Sequence, residues 1–268
     1  MSLAGKKTKA VYSSLLNANV DSVSGLSDNN LHAIKDGIGT TSSLHIGTSQ
    51  VSVEPDANST NTLAVQNSSG ANILATNTTD SKVLVNSGQY VANTQFKQFS
   101  LYESSPATGN HTAMVAQNGL TGLNGSAYSA VSTGSSTNPS TVLSVTGSGE
   151  YILPIMWYIP CDLTLDSVTY LATCDASSTI NFHLMEYSVV TGAGATAGNM
   201  SSGSVIACSG SAADNLTPIT VGDDRISIGS LTILSSTISS GKVVIGTMEN
   251  VGGTDDITGQ LNLQYHLK

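Results

Sequence analysis

The sequence predicts an all-β protein: an extended N-terminal arm, then short hairpin-like and fibre-like strands, then a C-terminal β-sandwich of jelly-roll type. Three observations predict it. Ser and Thr together make up roughly a quarter of the residues and only 10% are charged, a composition suited to short strands joined by small polar turns. Apolar residues recur in alternating pairs, which put two side chains on one face of a strand. No segment sustains a helical period of convincing length. Low charge, with Val, Ile and Leu spread along the chain, also separates this sequence from a solvated coil.

Taken in order, residues 1–30 carry no clear period, and Val11 to Leu16 reads equally as a short helix or an extended segment. We treat 1–30 as an arm that docks on a partner. Between residues 31 and 92 the apolar pairs Leu44/Ile46, Val51/Val53, Leu63/Val65 and Val83/Val85 alternate with turn-rich stretches such as Asn67-Ser68-Ser69-Gly70 and Asn77-Thr78-Thr79-Asp80. Strands this short bury too little apolar surface to offset the entropy of ordering their backbone. Residues 31–92 are therefore expected to be an oligomerisation region, in which the same strands from several copies, commonly three, meet around an axis.

From residue 93 to 268 the strand candidates are longer. They are Leu143/Val145, Tyr151–Pro160 around the sole Trp157, Leu163–Leu171, Ile180–Val190, Ser204–Ala207, Ile226–Leu234 and Lys242–Met248, with residues 117–141 as long loops between strands. Residues 261–268 alternate without a break, as a half-buried strand requires. Eight or so strands at this spacing predict the sandwich.

Net charge is −9, and from residue 95 onward four basic residues face twelve acidic ones, so this part repels phosphates and no nucleic acid partner is expected. Lys6, Lys7 and Lys9 form the one basic cluster, read as a solubilising tail. Cys161, Cys174 and Cys208 are an odd set without metal-ligand spacing, which predicts reduced thiols and folding in a cytoplasm. An apolar leader core is lacking and no apolar run approaches the roughly 20 residues of a membrane helix, so no membrane association is expected.

Chemical motifs are sparse. Asp223-Asp224 and Asp255-Asp256 are the densest acidic pairs, and both read as solvated turn residues, with a surface calcium site as the lesser alternative. His32, His45, His111, His183 and His266 have no close ligand spacing; His183 and His266 fall in strand patterns, where a solvent-facing position is expected. No nucleophile elbow or phosphate-cradling loop occurs. Neither catalytic, cofactor-binding nor metal-binding residues are assigned, and no cofactor is expected. Trp157, with Tyr158 beside it and Pro154 and Pro160 flanking, reads as an edge-strand aromatic packed between sheets, with a recognition surface for a glycan or neighbouring subunit as the lesser alternative. The loops Thr191–Ser202 and Ala212–Pro218 are the candidates for receptor contact.

The segments Lys35-Asp36-Gly37-Ile38-Gly39-Thr40, Ser43-Leu44-His45-Ile46, Val51-Ser52-Val53, Thr62–Gly70 and Ser81–Val85 resemble connecting parts of bacteriophage tail-fibre and virion structural proteins. Met156–Pro160, Asn181–Met185 and Gly241–Ile245 resemble C-terminal modules of marine phage structural proteins. The resemblance implies a virion component: a homotrimeric fibre, head-fibre or decoration subunit, assembled in the host cytoplasm. Residues 1–30 would then attach to a capsid, portal or tail, and the sandwich would face outward towards a host surface glycan or receptor. The enzymatic alternative is a short polysaccharide-degrading tailspike, which needs paired carboxylates in an aromatic-floored groove. With one Trp and 5% aromatic residues, the sequence favours the structural reading.

Overall fold

The computed structural model describes residues 17–18, 31–35, 40–85, 90–103, 106–116, 133–145, 149–192, 194, 198–253 and 256–268. The chain divides into two compact units, Met1–Ala92 and Asn93–Lys268, and the regular structure of the described residues is almost all β-strand.

In the first unit, β1 (Asn17–Ala18), β2 (His32–Lys35), β3 (Thr41–Ile46) and β4 (Val51–Val53) pair in chain order as one antiparallel sheet. Strands β5 (Leu63–Gln66), β6 (Asn72–Asn77), β7 (Lys82–Val85) and β8 (Tyr90–Val91) form a second. Their turns follow from local side-chain chemistry. Asn67 Oδ1 accepts from the N–H groups of Ser69 and Ala71, each at 3.0 Å, and Gly70 completes the reversal at φ 82°, a conformation that costs glycine little. Asn77 binds Asp80 twice, Oδ1 accepting from its N–H and Nδ2 donating to its carboxylate. All four expected apolar pairs lie in strands. Strand β6 had no comparable signal, because its apolar residues Ile73 and Leu74 are adjacent and point to opposite faces. Of the expected arm, only Asn17–Ala18 is described; Val11–Leu16 lies outside the described residues.

The second unit contains β9 (Thr94–Glu103), β10 (His111–Ala113), helix α1 (Gly149–Ile155), β11 (Trp157–Tyr158), β12 (Leu163–Cys174), β13 (Ser178–Val189), β14 (Met200–Cys208), β15 (Gly210–Ala212), β16 (Asn215–Leu216), β17 (Ile219–Val221), β18 (Ser227–Ser230), β19 (Thr232–Ile233), β20 (Thr237–Ile238), β21 (Lys242–Gly252) and β22 (Ile257–Leu267). One sheet runs β18-β12-β22-β9, with β20 also on β12. The other runs β10-β21-β13-β14-β19, with β11 also on β21 and β17 on β13. Phe99, Leu101, Leu165, Val168, Leu261 and Leu263 of the first sheet share one buried cluster with Ile180, Phe182, Leu184, Ile206, Val244 and Met248 of the second. The two sheets therefore pack face to face as a sandwich.

Two glycines set the sheet spacing. A Cβ on Gly246 would lie 3.2 Å from the Phe99 ring, and one on Gly259 would lie 3.0 Å from Phe182 Cζ. Each phenyl ring thus sits over a position in the opposite sheet that lacks a side chain. Strands β13 and β21 are buried on their other face as well, where Met185, Tyr187, Val243 and Ile245 pack with Ala113, Leu143, Met200 and helix residues Ile152 and Ile155.

The helix corrects the expectation of a strand over Tyr151–Pro160. Residues 149–155 are helical and only Trp157–Tyr158 pair in a sheet, because Ile152 and Ile155, three apart, meet the sheet from one side of a helical turn. Leu143 likewise makes only an isolated bridge to Met200, not a strand. In the expected loop region 117–141, residues 117–132 lie outside the described residues.

Replacing Gly259 by Ala should destabilise the second unit by about 1–3 kcal/mol through overpacking. Adding Phe182→Leu to that variant should recover part of the loss, so the two effects should be non-additive in urea denaturation.

Candidate functional site

Several polar and titratable side chains form a buried row on the face of the second sheet that turns away from the sandwich core. Alternation in β13 directs Ile180, Phe182 and Leu184 into the core, so Asn181 and His183 point the other way, along with Met185 and Tyr187. In register, His183 stands between Cys208 of β14 and Thr247 of β21. Asn181 stands beside Glu249, which pairs in turn with His111 of β10.

Hydrogen bonds tie one part of this row together. Asn181 Nδ2 donates to Glu249 Oε2 at 2.8 Å, Ser209 Oγ donates to Asn181 Oδ1 at 3.2 Å, and the Phe182 N–H donates to Ser209 Oγ. His111 Nε2 lies 2.7 Å from the Ser136 carbonyl oxygen; a carbonyl only accepts, so this nitrogen carries the proton. Thr133 Oγ1 donates to the His111 carbonyl. His183 is fully buried, its ring edge-on to His111 at 5.0 Å between centroids, and neither of its nitrogens has a hydrogen-bond partner among the described residues; nor has Thr247 Oγ1.

Burial lowers the His183 pKa to about 3, with the neighbouring His111 adding to the shift. Burial also lowers that of His111, partly opposed by the Ser136 carbonyl and by Glu249, while it raises the Cys208 thiol. A neutral imidazole that resists protonation, beside a thiol that resists deprotonation, is poorly matched to proton transfer near neutral pH. The row links β10, β13, β14 and β21 and leaves several buried polar atoms unpaired, at a cost in stability.

The histidines depart from the sequence expectation. Neither His183 nor His266 faces solvent. His266 is buried, with Nδ1 2.9 and 3.0 Å from the two carboxylate oxygens of Asp166. Asp166 is the extra residue of a bulge in β12 between Leu165 and Ser167, and the bulge redirects its side chain towards the ring. Strand-internal histidines read as solvent-facing because alternation reports only which face a residue takes, and the far face of each sheet is itself covered at these places. His45 lies 3.5 Å from Glu54 on the first unit, and His32 lies in β2.

The other candidates separate. Trp157 is partly buried against the sandwich core and packs on Tyr265 at 4.9 Å; its strand shares an edge of β21 with β10. Tyr158 is exposed. Asp223 and Asp224 occupy an exposed turn in which Asp224 has φ 49° and its N–H donates to the Cys174 carbonyl. Asp255 lies outside the described residues, and Asp256 accepts from the Tyr102 hydroxyl. The loop Thr191–Ser202, where described, follows the end of β13 and runs into the start of β14. Residues 212–218 contain the tip of the small β15–β16 hairpin, beyond the other end of β14. The antiparallel register places them at opposite ends of the sheet. A groove of about 180 Å³ lies over β12 and β22, lined by Leu171, Thr173, Ile226, Thr258 and Gln260 among others. Among the described residues no three His, Cys, Asp or Glu side chains group as metal ligands, all three cysteines are free, and no helix is long and apolar enough to cross a membrane.

The buried histidine pair predicts acid sensitivity. A folded pKa below the unfolded value near 6.5 means that the unfolded chain takes up the proton first. The stability that follows from a neutral His183 is complete above about pH 6.5 and declines as pH falls towards 3, by at most about 1.4 kcal/mol per pH unit per histidine. Chemical denaturation from pH 7 to 4 should show this slope in the native chain and a shallower one in His183→Leu, which should be no less stable at pH 7.

No family model and no curated protein matches the chain. Among solved structures, alpha-amino acid ester hydrolase labelled with selenomethionine is similar over 67% of this chain and 33% of its own, with 9% identity and a TM-score of 0.27. The chain spans about a third of that protein's length, and a likeness this distant carries no argument about function.

Proposed function

We propose that this chain is a non-enzymatic structural subunit of a bacteriophage particle, a fibre or a capsid or tail decoration protein, that assembles as a homotrimer through residues 31–92. The observation that carries this reading is an uncovered apolar face in the first unit. Register places Val65, Leu74 and Val85 in one row and Leu63, Thr76 and Val83 in the next, all on the same face of the sheet. Leu63, Val65, Leu74 and Val83 are 39–51% exposed in the single chain. Leu44 and Val51 are 41% and 68% exposed on the other small sheet, on the face shared with Val53 and Ile46. Contiguous apolar faces on narrow sheets mark an interface, and identical copies around an axis cover them with the least additional sequence.

The second unit fits an outward-displayed module. Its principal strands run β9-β22-β12-β18 over β10-β21-β13-β14, the strand order we read as a jelly roll, an architecture used by viral capsid proteins and lectins. Residues 1–30 attach the subunit to the other virion proteins. The loops at the two ends of the sheet are the surfaces for a host glycan or receptor, and one end alone can face outward from an arm-anchored particle.

Light scattering on the purified full-length chain should give three times the 27.4 kDa chain mass, and the pair Val65→Glu and Val83→Glu should shift it to monomer while the second unit still melts cooperatively. Antibodies to the chain should label purified phage particles by electron microscopy. A monomeric native protein would remove the trimer, unlabelled particles would remove the virion assignment, and release of reducing sugar from host polysaccharide would favour an enzyme.

A further inference from the structure

A second group of unsatisfied polar atoms lies inside the sandwich, at the end where β9 and β21 finish and β13 and β22 begin. Glu103, Ser178 and Asn250 are 9%, 2% and 0% exposed, and Glu103 Oε2, Ser178 Oγ and Asn250 Oδ1 have no hydrogen-bond partner among the described residues. Alternation assigns all three to the space between the sheets. Glu103 follows Phe99 and Leu101, Ser178 precedes Ile180 and Phe182, and Asn250 follows Met248, every one of these neighbours belonging to the inter-sheet cluster.

Further contacts tie Asn250 to Ser178 and to the chain just beyond Glu103. Asn250 pairs with Ile180 across the β13–β21 ladder, two residues from Ser178 on the same face. Its Nδ2 donates at 2.7 Å to the carbonyls of both Pro106, three residues beyond Glu103, and Gly253. A Cβ on Gly253 would stand 2.1 Å from Ser178 Oγ, so that backbone lies directly on the hydroxyl. Around this end are Asp175 and Asp256, joined by a backbone hydrogen bond, and Asp223 and Asp224, held against Cys174. Arg225 is the one cationic side chain on the turn that carries the last two.

We propose that Glu103, Asn250 and Ser178 bind a hard divalent cation of the calcium class at this end of the sandwich. Every unsatisfied atom is an oxygen: a carboxylate, an amide and a hydroxyl, with backbone carbonyls beside them, which is the ligand chemistry that calcium accepts and that softer metals do not prefer. A buried acceptor without a donor is costly, and burial without a counter-charge already raises the Glu103 pKa. A cation answers all three acceptors at once, and the acidic end of the molecule attracts it. With one carboxylate in the inner set, the affinity belongs in the weak range of about 0.1–1 mM.

The test is thermal unfolding of the full-length protein in calcium and in chelator, together with a lanthanide-soaked crystal. Calcium at about ten times its Kd should raise the Tm of the second unit by about 3–5 °C, magnesium should do less, and Glu103→Gln should abolish the response. A lanthanide peak should lie between the Glu103 carboxylate and the Asn250 amide. An unchanged Tm, a calcium response that survives Glu103→Gln, or a lanthanide found only on Asp223 and Asp224 would overturn the proposal, leaving a buried water or a protonated Glu103 to satisfy these acceptors. If the Glu103→Gln chain fails to fold, the position of the lanthanide in the native crystal decides.

Discussion

Phe99 and Phe182 each reach across the sandwich and lie over a glycine of the opposite sheet, Gly246 and Gly259 respectively. Much of the second unit follows from that exchange. Interiors are packed to near crystalline density, so two bulky rings facing ordinary side chains would force the sheets apart. With glycine beneath each ring the sheets close, and Leu184, Leu261, Leu263 and Met248 interdigitate around them. The exchange also holds the register of β13 against β21 and of β22 against β9, since a slip of one residue would turn each ring out of the core.

Closing the sandwich fixes which faces remain to be covered. Strands β13 and β21 lie in the middle of their sheet, and their far side holds Tyr187, Met185, Val243 and Ile245, capped by the short helix. Central strands buried on both sides should be apolar throughout, yet Asn181, His183, Thr247 and Asn250 are buried within them. The polar positions gather towards the end of the sheet where β10 joins β21. There they are partly bonded to one another and to neighbouring backbone, with several acceptors and both His183 nitrogens unpaired. The two central strands are thus apolar in their middle and polar towards that end.

The first unit faces the opposite condition. Its strands are two to six residues long, and each sheet is a narrow four-stranded meander. Asn67 and Asn77 define the turns well, so local order is specified even where apolar burial is not. Defined turns are thus combined with exposed valines and leucines on the sheet faces.

The all-β character was written in the composition and in the pairwise alternation, because both depend on short-range properties of the strand itself. Leu44/Ile46, Val51/Val53, Leu63/Val65 and Val83/Val85 announced their strands for that reason, as did the unbroken alternation of residues 261–268. Where adjacent apolar residues sit on opposite faces, as Ile73 and Leu74 do, or where an apolar run is compatible with helix and strand alike, as over 151–156, the period is silent and packing decides. Tertiary structure alone decided that His183 and His266 are buried, since a sequence records which face a residue occupies but not what covers that face. It alone also brought Glu103, Ser178 and Asn250, far apart in the chain, to one end of a closed sandwich. Such a grouping depends on which strands cross between the sheets, a long-range property that no local pattern encodes.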